Sequence, residues 1–134
     1  MKVTTKSGLH FESHRTEGND TWEFIACGVE SIANEVAELV WRSGKVCEIG
    51  FDTLYGWFVR ISLRNENQRE RIGRRIAFLR GRRGITQQEL AERTGMQQGN
   101  IARIEAGKYS ARFDTLQTIA EAMGLTVDFV AGCQ

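Results

Sequence analysis

Proline is missing altogether from the 134 residues, and histidine occurs only twice. Without proline or serine repeats, no stiff or low-complexity spacer divides the chain. Cysteine is scarce too. Cys27, Cys47 and Cys133 are odd in number and show no CxxC spacing, so neither a disulfide framework nor a zinc pattern is present, and reduced, packed thiols are expected. No apolar run approaches the roughly 18–20 residues of a membrane span. The first residues, MKVTTKSGLHFESH, carry no hydrophobic segment of the secretory kind, so a cytoplasmic protein is expected. Catalytic patterns are equally absent. There is no nucleotide-binding glycine loop, no GxSxG and no Cys/His pair at a meaningful spacing, so neither histidine has a nucleophile to serve. An enzyme is not expected, and no cofactor is implied.

What is present suits a globular chain. Apolar residues make up 41% and charged residues 26% of it, within the range of ordinary folded proteins. The length allows one domain or two small ones. A net charge of +1 hides an asymmetry: residues 1–65 carry seven Lys/Arg against nine Asp/Glu, whereas residues 66–112 carry eleven against five. The balance is therefore −2 in the first segment and +6 in the second. A basic segment of that kind is suited to a polyanion, although an arginine-rich solvated helix would show the same balance.

Residues 1–65 read as a small α+β unit of order β-β-α-β-β. Leu9–His14 and Trp22–Cys27 are candidate strands around the polar loop Arg15–Asp20. Glu30–Arg42 is a clear amphipathic helix, with Ile32, Val36, Leu39 and Val40 at helical spacing and Gly44 as its stop. Val46–Phe51 and Trp57–Leu63 read as a hairpin around Asp52–Gly56. The helix is expected to cover one face of a small antiparallel sheet. Most of the aromatics, Trp22, Phe24, Trp41, Phe51, Tyr55, Trp57 and Phe58, are expected in the core of so small a unit. Trp57 and Phe58 are neighbours in a strand and point to opposite faces, which leaves one face for a second subunit or a partner. His10, Glu12 and His14 share a face of the first candidate strand. They lack a nearby third strong ligand, and no metal site is expected.

A short polar linker, Arg64–Gln68, leads into an arginine-rich helix, Arg69–Arg83, whose expected buried stripe is Ile72, Ile76 and Leu79. Next comes TQQELAERTGMQQGNIARIEAG, residues 86–107. Thr86 with Glu89 makes a capping box, Leu90 and Ala91 give an apolar face, and Thr94-Gly95 closes the helix in a turn. A second short helix over residues 97–105 turns Ile101 and Ile104 inward and Gln98, Asn100 and Arg103 outward. Two short helices joined by a glycine turn form a helix-turn-helix reader of DNA. The loop Lys108–Arg112, a helix Asp114–Met123 and a final short helix over Thr126–Val130 complete the chain.

From Ile72 to Val130 this sequence resembles the XRE/Cro/C1, lambda-repressor-like helix-turn-helix regulators, through TQQELAERTG, NIARIEAGK and TLQTIAEAMGLTVDF taken together. The resemblance implies a five-helix all-α domain over 66–134 and a dimeric, sequence-specific transcriptional regulator, of repressor type. It would read double-stranded DNA at half-sites about one helical turn apart. It places Gln98 at the start of the recognition helix as a base reader suited to adenine, with Arg103 facing guanine or phosphate. Gln87, Gln97, Asn100, Lys108 and Arg112 are the implied backbone contacts, which set register rather than sequence choice. Arg75 and Glu105 are implied as a partly buried structural salt bridge. Two departures stand out: Gly99 occupies a position where many relatives carry a base-reading side chain, and Ala111 a position often held by proline.

Residues 1–65 lie outside the resemblance, and a role in dimerisation, in sensing an effector or in binding a protein partner is open to them. The alternative function is that of an antitoxin whose N-terminal unit masks a toxin while the C-terminal domain autoregulates the operon. Toxin-binding segments of that class are often disordered alone, whereas residues 1–65 read as able to fold.

Overall fold

The computed structural model describes residues 1–129. The chain divides into two compact units, Met1–Asn65 and a second that begins at Glu66.

The first unit is built from β1 (Lys2–Thr4), β2 (His10–Glu12), β3 (Trp22–Gly28), α1 (Glu30–Arg42), β4 (Cys47–Asp52) and β5 (Gly56–Ser62). The strands form two antiparallel sheets rather than one: a ribbon of β1 and β2, and a three-stranded sheet of order β3-β5-β4. β1 has no counterpart among the strands expected from sequence. It has three residues with only Val3 buried, too short a run for an alternating pattern to show. A bridge between His14 and Phe24 ties the ribbon to β3. His10 contacts Thr4 across the ribbon, Nδ1 to Oγ1 at 2.9 Å.

The register puts Ile25, Val59, Ile61 and Cys47 on one face of the larger sheet, and all four are buried. α1 packs there through Ala33, Val36, Ala37, Val40 and Trp41. Its buried stripe is thus centred between the alanines and Trp41, with Ile32 and Leu39 at its margins. The alanines allow the helix to lie close to the sheet; the Cys47 Sγ reaches the Ala37 carbonyl oxygen at 3.6 Å. The opposite face carries Phe24, Phe58, Arg60 and Glu48, all partly exposed. Arg60 lies over the Trp22 ring at 4.5 Å and pairs with Glu48.

The second unit is helical: α2 (Gln68–Arg82), α3 (Gln87–Thr94), α4 (Gln98–Glu105) and α5 (Phe113–Ala122). Asn67 caps α2 by accepting from the Glu70 amide at 2.9 Å. The core joins Ile76, Ile85, Leu90, Ala91, Ile101, Ile104, Ile119 and Met123. Two expectations need correction. Ile72 is exposed, and the residue that meets α4 is Gly73, where a Cβ would lie 2.3 Å from the Ile104 carbonyl oxygen and 2.6 Å from that of Glu105. The fifth helix does not form over residues 126–129, and Val130 lies outside the described residues. A segment this short has too few intrahelical bonds to offset nucleation, and Phe129 is fully exposed rather than packed.

Gly73→Ala is expected to lower stability by about 1–3 kcal/mol, because the obstructing atoms are backbone. Gly81→Ala in the same helix meets nothing within 4 Å and should raise stability by about 0.5–1 kcal/mol. Urea unfolding of the two variants against wild type tests the close approach, and equal effects would refute it. A second expectation concerns Cys27, whose thiol burial pushes up to about 11. In a Cys133→Ser background, alkylation by iodoacetamide at pH 8 should therefore be far slower than that of a free thiol, since the thiolate is the nucleophile.

Candidate nucleic-acid interface

The site is assembled on α3 and α4. Thr86 caps α3, its Oγ1 accepting from the Glu89 amide at 3.1 Å. At the other end Gly95 adopts φ 69°, and the Met96 amide donates to the Ala91 carbonyl at 3.1 Å, so the chain reverses within three residues. α4 turns Ile101 and Ile104 into the core, which leaves Gln98, Gly99, Asn100 and Arg103 exposed. Gln97 stands at its N-cap without a side-chain hydrogen bond to the helix, so first-turn N–H groups point outward without a side-chain cap.

Beneath this surface runs a chain of polar contacts. Arg80 Nε donates to Glu105 Oε1 at 2.6 Å, and its Nη2 donates to Oε2 at 3.0 Å. Arg80 Nη1 donates to the Ile85 carbonyl at 2.9 Å. Glu105 is only 8% exposed. Gln87 Nε2 donates to Glu105 Oε2 at 2.6 Å, and Gln98 Nε2 donates to Gln87 Oε1 at 2.8 Å. The direction of the chain follows from its inner end. An ionised carboxylate only accepts, so Gln87 must turn its NH2 group toward Glu105. Its oxygen then faces Gln98 and can only accept, which turns the Gln98 NH2 group toward it. One N–H and the Oε1 of exposed Gln98 remain unengaged in this chain.

Against this geometry stand the similarities to known proteins. A helix-turn-helix family profile matches residues 76–130. An immunity repressor protein of Bacillus phage phi105 is 34% identical over 61 residues, which cover 46% of this chain and 42% of the repressor. An uncharacterised HTH-type transcriptional regulator of Sinorhizobium fredii is 32% identical over 60 residues, covering 45% of this chain and 78% of that protein. The chain belongs to the XRE, lambda-repressor-like helix-turn-helix family. The membership rests on the second unit, and the matched region is less than half of the phage repressor's length. Among solved structures, the clp gene regulator ClgR of Corynebacterium glutamicum aligns at 25% identity, with TM-score 0.45, over 47% of this chain and 67% of that one. A HipB–O2 20mer complex aligns at 21% identity, with TM-score 0.44, over 52% and 97% of the respective chains.

Within the XRE unit the residues singled out from sequence fall into three groups. Gln87 and Gln98 are hydrogen-bonded to each other. Asn100 and Arg103 line an open cleft with Met96, Tyr109 and Thr115. Gln97, Lys108 and Arg112 are exposed at the start of α4, in the loop after it and at the N-cap of α5. The expected Arg75–Glu105 bridge needs correction, because the arginine that grips Glu105 is Arg80. Gly73 marks the line of α2 that meets α4. Arg80 lies seven residues on, about two turns, and so on the same line, whereas Arg75 is about 200° away. Arg75 instead lies over the Phe78 ring at 5.7 Å. Arg80 and Gly73 are thus the supporting residues that sequence reasoning missed. The recurrence of Gly73, Ile76 and Arg80 at helical spacing was the available signal.

Glu105→Gln strands the Arg80 guanidinium, whose side chain is 18% exposed, and should cost about 3–5 kcal/mol in urea unfolding. Arg80→Met combined with Glu105→Gln should recover most of that loss, since no unpaired charge is left behind. Equal losses for Arg75→Met and Arg80→Met would overturn the assignment.

Proposed function

We propose that this protein is a sequence-specific DNA-binding transcriptional regulator of repressor type that reads the major groove with α4. The observation that carries the reading is the state of Gln98. Its amide is held by Gln87 and retains one donor and one acceptor, the pair that adenine N6 and N7 accommodate together. Gly99 beside it has nothing within 4 Å of a Cβ position, so the neighbouring base meets backbone rather than a side chain. Arg103, five residues along α4, suits guanine O6 and N7.

The remaining contacts supply affinity. Gln87 has a second N–H beyond the one given to Glu105, directed to phosphate at the start of α3, where the helix N-terminus already favours an anion. Gln97, Asn100, Lys108 and Arg112 extend the backbone-contacting set, and the +6 balance over residues 66–112 draws the unit to the duplex. The phage repressor among its relatives supports the repressor sense of regulation. Two copies of the chain would present α4 to half-sites about 34–36 Å apart.

Duplexes selected from a random library by the wild-type protein provide the test. Gln98→Ala should lose about 1–3 kcal/mol of discrimination at one adenine and keep the salt dependence of binding. Lys108→Ala should weaken selected and scrambled duplexes alike and flatten the log–log salt slope by about 0.9. Failure to enrich any sequence, or an unchanged base preference in Gln98→Ala, would refute the reading.

A further inference from the structure

A cleft of about 290 Å³ lies beside α4, and two of its residues have no part in the DNA reading above. Met96 comes from the turn before α4, Asn100 and Arg103 from the helix itself, Tyr109 from the loop after it and Thr115 from the first turn of α5. Tyr109 is 51% exposed, and Thr115 is partly exposed. Among the described residues, no side-chain polar atom of Asn100, Arg103, Tyr109 or Thr115 has a hydrogen-bond partner within the protein. Four unengaged donors therefore meet at one place, with no carboxylate among the described lining residues.

That lining selects its occupant. A carboxamide N–H, a guanidinium and two hydroxyls can all donate to an oxygen that only accepts, whereas a divalent cation finds no carboxylate there. The cleft is open and smaller than the roughly 300–1,000 Å³ of a small-molecule site. A phosphodiester on a passing strand needs no enclosure. It brings oxygens that accept from Asn, Tyr, Thr and Arg alike, and Met96 offers the adjoining sugar an apolar contact.

The place of the cleft on α4 agrees. At about 100° per residue, Arg103 and Asn100 stand about 140° and 200° around the helix from Gln98, with Gly99 between. Gln98 is on the margin toward α3, where Gln87 bonds it, and the cleft is on the margin toward α5. A helix seated in the major groove has one backbone strand along each margin. We infer that the cleft seats one phosphate of the strand on the α5 side, with the Tyr109 and Thr115 hydroxyls donating beside Asn100. It is the counterpart of the phosphate contact at Gln87 on the α3 side, and together they hold α4 between the two strands. The inference rests on the reading of the groove by α4 and adds two residues to it.

Tyr109→Phe combined with Thr115→Val removes both hydroxyls at nearly constant volume. The full-length variant should bind selected and scrambled duplexes about tenfold more weakly, to the same degree on both, with an unchanged circular dichroism spectrum. If Thr115→Val disturbs α5, Tyr109→Phe alone should still show a loss of about threefold. The log–log salt slope should not change, because neutral hydroxyls displace no counterions, unlike Lys108→Ala. A single neutral methylphosphonate, moved along the selected duplex, locates the contact. At one phosphate per half-site it should weaken wild type about tenfold and the double variant less than about twofold, the coupling expected of direct partners. A loss confined to the selected duplex would make the hydroxyls base readers and overturn the inference. Unchanged binding by the variants, or the same sensitivity to every methylphosphonate in both proteins, would also overturn it. Binding of the scrambled duplex needs no base reading, so the hydroxyls are tested there even if selection enriches no sequence and the proposed function fails.

Discussion

The buried Arg80–Glu105 ion pair is the contact on which the second unit depends. Taking two charges out of water is costly, and the pair is tolerable only because Arg80 also satisfies the Ile85 carbonyl and Glu105 also accepts from Gln87. The close approach at Gly73 makes this possible. With no side chain there, the carbonyl end of α4 settles against α2, and the Glu105 carboxylate comes within reach of an arginine two turns along the same line. Packing and electrostatics are therefore one constraint here.

That constraint reaches the protein surface. Each amide in the sequence Glu105, Gln87, Gln98 can face its neighbour in only one way once the carboxylate has been placed. The outermost amide is consequently presented in a fixed sense, on a helix whose inner face is held by Ile101 and Ile104. A glutamine free to rotate would offer a donor and an acceptor in either order and would lose rotamer entropy on binding. Fixing it in advance removes much of that cost, as the proposed reading of a base requires.

Much of the architecture was legible in the residues. The helix over Glu30–Arg42 and the hairpin that follows it are recorded in local periodicity and turn chemistry, as is the cap-to-glycine span of α3. Other features were not. β1 is too short to show alternation. Ile72 looked like core because it is apolar and at helical spacing from Ile76, yet a glycine next to it decided which face met α4. Residues 126–129 follow an apolar pattern that suggested a helix, but pattern alone does not nucleate a helix of so few residues.

The sequence by itself determined most of the elements, the division of charge between the two units and the helix-turn-helix pair α3 and α4, because capping, periodicity and composition act over a few neighbouring residues. Only the tertiary structure decided which arginine neutralises Glu105, which way the Gln87 and Gln98 amides face, and that Gly28 at the end of β3 meets Gly56 at the start of β5. Those outcomes depend on residues 11 to 28 positions apart being brought side by side. The facing of packed surfaces governs such meetings, and a one-residue rotation of a helix would change every one of its partners.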